Sequence, residues 1–125
     1  MASGGIFIAF EGVEGAGKST QIKLVAEELS KRGVDPVLAR EPGGTEIGEA
    51  IRELVLDGRV RTSAVTELFL MLAARSSFVA DVVRPALEAG RVVLTDRYDL
   101  STLAYQGGGR RIPLATIKTL NEFAT

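Results

Sequence analysis

The chain has 125 residues, of which 46% are hydrophobic and 25% are charged, a composition typical of one soluble globular domain. Its net charge of −1, without a run of basic residues, argues against binding to a nucleic acid polymer or an anionic membrane. It has no cysteine, no histidine, no signal-peptide pattern and no apolar run of membrane-spanning length, so we exclude thiolate and imidazole chemistry and expect a cytoplasmic protein.

Strand-like and helix-like patterns alternate along the chain. In chain order they predict a strand at Ile6–Phe10, a helix at Lys18–Arg32, a strand around Pro36–Arg40, a helix at residues 45–58, a long helix at Thr66–Ala89, a strand at residues 91–96, and helices at residues 100–106 and 114–124. The long helix contains Pro85, which predicts a kink, and it precedes Gly90, which predicts its end. Because parallel strands need crossover connections, this alternation predicts an α/β fold built on a parallel sheet.

A phosphate-binding loop is predicted between the first strand and the first helix. The stretch "GVEGAGKS" fits the pattern G-x-x-x-x-G-K-[ST] and has the strand–loop–helix context that this motif requires. Lys18 is predicted to reach the β and γ phosphates of ATP, and the Ser19 hydroxyl to bind Mg²⁺. The predicted ATP-binding residues are Gly12, Val13, Glu14, Gly15, Ala16, Gly17, Lys18 and Ser19. The alternative is a glycine-rich turn that lysine and serine follow by chance.

An acidic residue, Asp96, ends the third predicted strand. Because Asp96 lies at the carboxyl end of this strand, beside the predicted phosphate loop, it is expected to hold Mg²⁺ together with Ser19. Without the loop, Asp96 would be interpreted as a solvated acid that opens a turn. The sequence lacks the N-K-x-D and D-x-x-G motifs, which argues against a GTPase.

Three arginines lie at or near the ends of predicted elements. Arg40 follows the second strand, Arg97 follows the third, and Arg75 lies in the apolar stretch "LFLMLAAR". Arginine binds phosphate through two parallel hydrogen bonds, so this convergence predicts a second phosphate-bearing substrate, as in a nucleotide kinase. A surface salt bridge explains Arg40 equally well, whereas Arg75 needs a buried partner.

Four stretches together resemble the bacterial thymidylate kinases. "FEGVEGAGKST", "REPGGT", "AAR" and "DRYDLSTLAYQGGGR" occur in the order and spacing of that family, and the resemblance spans nearly the whole chain. It implies a P-loop NTPase-type parallel sheet with helices on both faces, of which about three strands are present. It also implies transfer of the γ-phosphoryl group of ATP to dTMP, with Mg²⁺ accompanying ATP. The long apolar helix at Thr66–Ala89 offers a face for a homodimer.

The resemblance further implies where the acceptor dTMP binds. Arg40 and Arg97 would hold its phosphate, and Glu14 would lie near its 3′ hydroxyl and the metal ion. Tyr105 would pack against the deoxyribose, where a ribose 2′ hydroxyl would protrude. The residues expected near the thymine base are Arg52, Arg75, Ser101, Thr102 and Gln106. The expected catalytic residues are Lys18, Arg97 and Glu14.

Two features depart from the family's pattern. Met71 stands four residues before Arg75, where the family usually has an aromatic residue that stacks on thymine. Packing of its sulfur on the base and an ordinary core position are both open. The sequence stops at Thr125, where the family continues with a further strand, a lid and an adenine loop. We therefore expect the N-terminal part of a single nucleotide-kinase domain. The alternatives are a phosphate-loop kinase for another small acceptor and a nucleotide-binding fragment without turnover.

Overall fold

Three strands and the helices around them make up the computed structural model, which describes residues 4–12, 17–56, 62–98 and 112–125. The elements are β1 (Ile6–Gly12), α1 (Lys18–Lys31), β2 (Val37–Glu41), α2 (Glu46–Leu56), α3 (Ala64–Phe78), α4 (Arg84–Glu88), β3 (Val92–Tyr98) and α5 (Leu114–Ala124). One π-helical turn, Val79–Val83, joins α3 to α4. The helix predicted at residues 100–106 lies outside the described residues.

The sheet is parallel and has the order β1-β3-β2. In its register, Asp96 of β3 lies between Phe10 and Arg40, and Arg97 lies between Glu11 and Glu41. The carboxyl ends of all three strands therefore meet at one edge of the sheet. This edge collects the charged residues that the sequence analysis selected.

Helices cover both faces of the sheet, as predicted. On one face, α1 contacts β1 and β3. On the other face, Val93 of β3 packs with Phe78, Val83 and Ala86 from the end of α3, the π turn and α4. Since side chains of a strand alternate between faces, Asp96 lies on the α1 face, and Arg97 shares its face with Val93. The predicted α/β class is confirmed.

The long predicted helix runs from Ala64 to Glu88 and is interrupted by the π turn. Within this turn the Arg84 N–H donates to the carbonyl of Val79, five residues earlier. Pro85 follows directly and has no N–H to donate, so the irregularity predicted near this residue takes the form of a widened turn. The helix ends two residues before Gly90, as expected.

A second core joins α5 to α3. Its buried members are Leu68, Met71, Leu72, Ile112 and Ile117. The packing of α5 on α3 brings Asn121 of α5 beside Arg75 of α3. Over the described ranges, the helices are too short or too polar to cross a lipid bilayer.

Candidate functional site

Lys18, the predicted phosphate-loop lysine, lies against Asp96 of the central strand. Gly17 precedes α1 with a φ of +83°, a conformation that glycine adopts readily, and the chain then enters the helix at Lys18. The Lys18 Nζ lies 2.6 Å from Asp96 Oδ1, and the Lys18 side chain is only 11% exposed. Two motifs that the sequence analysis identified separately therefore meet. Residues Val13–Ala16, which include Glu14, lie outside the described residues.

Ser19 and Asp96, the two predicted metal ligands, line the same groove between α1 and β2, whose volume is about 630 Å³. Within the part of the chain that the structure describes, no three acidic side chains cluster closely enough to hold a cation by themselves. One hydroxyl and one carboxylate instead fit Mg²⁺, which keeps several waters and takes further oxygen ligands from substrate phosphates. The donor set at this position is thus compatible with Mg²⁺.

On the opposite face, one carboxylate joins two of the predicted arginines. Glu41 ends β2 with its side chain 2% exposed. Its Oε1 accepts a hydrogen bond of 2.7 Å from the Nε of Arg75, and its Oε2 accepts one of 2.8 Å from the Nε of Arg97. Arg75, itself 4% exposed, therefore has the buried partner that the sequence analysis required.

Each of these arginines has a further contact. The Nη1 of Arg75 donates to Asn121 Oδ1 at 2.7 Å. The guanidinium carbon of Arg97 lies 5.4 Å from the centre of the Phe7 ring, within the range of a cation–π contact. The Arg97 side chain is 14% exposed, so it is less enclosed than Arg75. We name Glu41, Arg75 and Arg97 the arginine–glutamate cluster.

Arg40 is the penultimate residue of β2, not a residue after the strand as predicted, and its side chain is exposed. Its Nη2 donates to Glu49 Oε1 at 3.0 Å, and the Gly44 N–H donates to Glu49 Oε2 at 3.0 Å. The hydrogen bond from Arg40, followed by that from Gly44, holds the pKa of Glu49 below its ordinary value. Arg40 thus forms the surface salt bridge that was its alternative interpretation, and its contact with a phosphate stays a prediction.

Of the remaining residues predicted to bind dTMP, two are described by the structure and four are not. Arg52 donates through Nη1 to the Pro42 carbonyl at 3.0 Å, which ties α2 to the loop after β2. Met71 is 3% exposed and packs in the core between α3 and α5, and its role at the base stays a prediction. Ser101, Thr102, Tyr105 and Gln106 lie outside the described residues.

Sequence reasoning missed Glu41 and Asn121. Glu41 stands next to Arg40 in "REPGGT", at the carboxyl end of a strand beside Arg97. The requirement that Arg75 have a buried counter-charge was a signal that could have directed attention to this glutamate. Asn121 gave no comparable signal, because its contact depends on how α5 packs.

Comparisons with known proteins identify the family of the chain. The chain matches the family model for thymidylate kinase over residues 10–125. The thymidylate kinase of Desulfovibrio desulfuricans is 54% identical over 123 residues, which are 96% of this chain and 56% of that protein. The enzyme of Thermosipho africanus is 48% identical over 120 residues, which are 96% of this chain and 60% of that protein.

A solved structure is also similar. The crystal structure of thymidylate kinase from Ehrlichia chaffeensis has a TM-score of 0.83 and 39% sequence identity, and the match covers 98% of this chain and 70% of that one. The chain spans 56% to 60% of the length of the two curated relatives described above.

Proposed function

The chain belongs to the thymidylate kinase family, and on this premise we propose that its full-length protein transfers the γ-phosphoryl group of ATP to dTMP. By full-length protein we mean the product of the complete gene that encodes these 125 residues. The products are ADP and dTDP, so the enzyme is a nucleoside monophosphate kinase that serves dTTP biosynthesis.

The observation that carries this proposal is the meeting of two charged sites at one edge of the sheet. Lys18 and Asp96 lie on the α1 face, and the arginine–glutamate cluster lies on the other. Donor and acceptor phosphates both bear negative charge, so a phosphate-to-phosphate transfer needs cations on both partners. Consecutive residues of β3, Asp96 and Arg97, connect the two sites and support this arrangement.

The proposed reaction needs no protein base. The attacking group is a phosphate oxygen of dTMP, which is largely ionised near neutral pH because the second pKa of a phosphate monoester is about 6. The absence of histidine is therefore compatible with the reaction. Lys18 would contact the β and γ phosphates of ATP, and Arg97 the acceptor phosphate, so that the two phosphates are aligned and their repulsion is reduced.

Ser19 and Asp96 are the residues that would hold Mg²⁺, which when bound neutralises charge on the phosphates of ATP. In the structure Asp96 pairs with Lys18. When ATP binds, Lys18 would move its contact from the carboxylate to the phosphates, and Asp96 would then be available as a ligand.

The acceptor contacts are proposed from the family resemblance. Arg40 would join Arg97 at the dTMP phosphate, and Glu14 would lie near the 3′ hydroxyl. Tyr105 would exclude a ribose 2′ hydroxyl. The residues proposed for the thymine base are Arg52, Met71, Arg75, Ser101, Thr102 and Gln106. Met71 and Arg75 stand four residues apart on α3 and therefore project from the same side of that helix, which supports their assignment to one group.

We also propose that the full-length protein is a cytoplasmic homodimer. Val65 and Phe69 of α3 are 50% and 57% exposed and lie four residues apart, on one side of the helix. A second subunit that packs on α3 would remove them from water. The cytoplasmic location follows from the proposed substrates, which are intracellular nucleotides.

A substrate panel tests the proposed activity. Full-length protein is assayed for ADP formation with ATP, Mg²⁺ and one acceptor at a time, namely dTMP, dUMP, dCMP, AMP, GMP or the ribose analogue of dTMP. We expect dTMP to give the highest kcat/KM. A higher value with any other acceptor would assign the protein to a different small-molecule kinase activity, and ADP formation that no acceptor stimulates would reject the kinase proposal.

A further inference from the structure

Glu41 lies between the two arginines proposed for the two ends of dTMP, namely Arg75 at the base and Arg97 at the phosphate. We propose that Glu41 is a positioning residue for the acceptor, which holds both guanidinium groups in place through the two oxygens of one carboxylate. This inference rests on the function proposed above, and it adds a residue that does not itself touch the substrate.

The geometry of the cluster restrains both arginines. Each is bound through Nε to a different oxygen of Glu41, at 2.7 Å and 2.8 Å. Each also has a second restraint, which is Asn121 for Arg75 and the Phe7 ring for Arg97. Glu41 in turn belongs to β2 and is paired with Arg97 in the sheet register, so its backbone is fixed. A movement of one guanidinium therefore requires a movement of the carboxylate that holds the other.

The charges of the cluster favour an anionic ligand. Two cations share one anion, and two of the three side chains are less than 5% exposed. Arg97 is the more exposed of the two arginines, at 14%, so a negative ligand would reach it more readily than Arg75. Within these three side chains, Glu41 reduces the repulsion between the arginines, and two positive charges stand against one negative charge. A phosphate monoester is an anion and would be attracted to this cluster.

A purely structural role for Glu41 makes a different prediction. Buried ion pairs also hold elements together, and here Glu41 links β2, α3 and β3. If this were the whole function of Glu41, its replacement would lower the stability of the protein and would weaken the binding of ATP and of dTMP to a similar extent. If Glu41 positions the arginines, the loss falls on dTMP, because Lys18 and Asp96 lie on the other face of the sheet.

Two substitutions in the full-length protein separate these roles. Glu41→Gln keeps the shape but removes the charge, and its amide group offers a donor where one arginine needs an acceptor. Glu41→Asp keeps the charge but shortens the side chain by one methylene, so it cannot reach both arginines equally. Glu28→Gln is the matched control, because it removes an exposed ion pair between Glu28 of α1 and Arg32, the residue that follows this helix. For each protein, kcat, KM for dTMP, KM for ATP and the melting curve are measured.

We expect Glu41→Gln to raise the ratio of KM for dTMP to KM for ATP by about tenfold or more, while Glu28→Gln leaves it unchanged. Glu41→Asp should raise the same ratio by a smaller factor. Combining Glu41→Gln with Arg97→Lys should raise KM for dTMP by less than the product of the two single effects, since both act on one contact.

Two results would overturn the positioning role. One is a Glu41→Gln protein that melts cooperatively and keeps the ratio within about threefold of the parent's. The other is a parallel loss of ATP and dTMP binding in both Glu41 variants, which would mean that the residue only supports the fold. A parent protein that does not phosphorylate dTMP would instead refute the proposed function, and this is visible before any variant is made.

Discussion

Asp96 and Arg97 are consecutive residues of β3, and their side chains therefore lie on opposite faces of the sheet. Asp96 contacts Lys18 on one face, and Arg97 contacts Glu41 on the other. One dipeptide at a strand end thus contributes to both proposed phosphate sites. This placement depends on the two-residue period of a strand. A shift of one residue in register would move Asp96 to the face that Arg97 now occupies, and Arg97 to the α1 face.

The phosphate-loop proposal predicts a severe defect in Lys18→Ala. The substitution removes the proposed cation at the β and γ phosphates and leaves Asp96 without its ion-pair partner. In the full-length protein we expect turnover to fall by at least about 10³-fold, as for other cations that contact a transferred phosphoryl group. Turnover is measured by coupled ADP release. Lys118→Ala, which removes an exposed lysine of α5, is the charge-matched control. Near-normal turnover in Lys18→Ala would contradict the proposed phosphate site.

The Arg40–Glu49 ion pair predicts a particular pH dependence. Its bond to Arg40 lowers the pKa of Glu49 below the ordinary value of 4.5, so the folded protein binds this proton less readily than the unfolded chain. The ion pair stabilises the folded protein fully above pH 4.5, and this contribution is lost as the pH falls through the lowered pKa of Glu49. Because both side chains are about half exposed, the effect on stability is small.

A carboxyl titration by NMR provides the measurement for this pair. We expect the Glu49 midpoint to lie below 4.5 in the parent and to rise in Arg40→Gln, where the first cause of the shift is removed. The Gly44 N–H remains as a weaker cause in that variant. An unchanged Glu49 midpoint in Arg40→Gln would contradict the assigned cause.

At the scale of the element, the sequence predicted the described strands and helices well and their ends less well. The apolar pattern predicted β1 only to Phe10, but pairing with β3 extends the strand to Gly12. Pairing between distant segments leaves no trace in a local pattern. The start of α3 was predicted at Thr66, whereas the helix begins at Ala64 behind a cap.

The sequence likewise predicted some residues of the candidate site and missed others. Lys18 and Asp96 were found because each stands in a local motif with a required context. Glu41 was missed because its role depends on contacts 34 and 56 residues away along the chain. A local pattern identifies residues of suitable chemistry. Only the packing of β2 against α3 and β3 shows that Arg75 and Arg97 bind the same carboxylate.

The cap of α3 predicts a stability effect that is separate from the site. The Ser63 Oγ accepts a hydrogen bond of 3.1 Å from the Thr66 N–H, which would otherwise have no partner within the helix. We expect Ser63→Ala to lower the free energy of unfolding by about 0.5–2 kcal/mol. Denaturant unfolding of the full-length protein is the measurement, with Ser76→Ala, on the exposed side of the same helix, as the control. Equal stabilities of the two variants would contradict the capping role.

At the scale of the whole molecule, the described residues bury two core clusters but expose much apolar surface. Among the large hydrophobic side chains that remain in contact with water, the exposed fractions are 51% for Ile6, 60% for Leu24, 58% for Leu38 and 92% for Phe123. In the described three-strand sheet, β1 and β2 form the two edges. Exposed edge strands and apolar patches favour pairing between molecules.

We therefore predict that residues 1–125, expressed alone, fold marginally, aggregate readily and phosphorylate dTMP only in traces. Their match covers 56% of the Desulfovibrio desulfuricans relative, and the lid and adenine loop that the family resemblance implies would lie in the part that the match does not cover. Thermal unfolding, light scattering and coupled ADP release are measured beside the full-length protein. In a matched variant of the same 125 residues, Leu38→Gln with Phe123→Ser should reduce scattering without raising turnover. A cooperative melt together with about one turnover per second, a rate within the usual range of enzymes, would show instead that these residues form a competent domain.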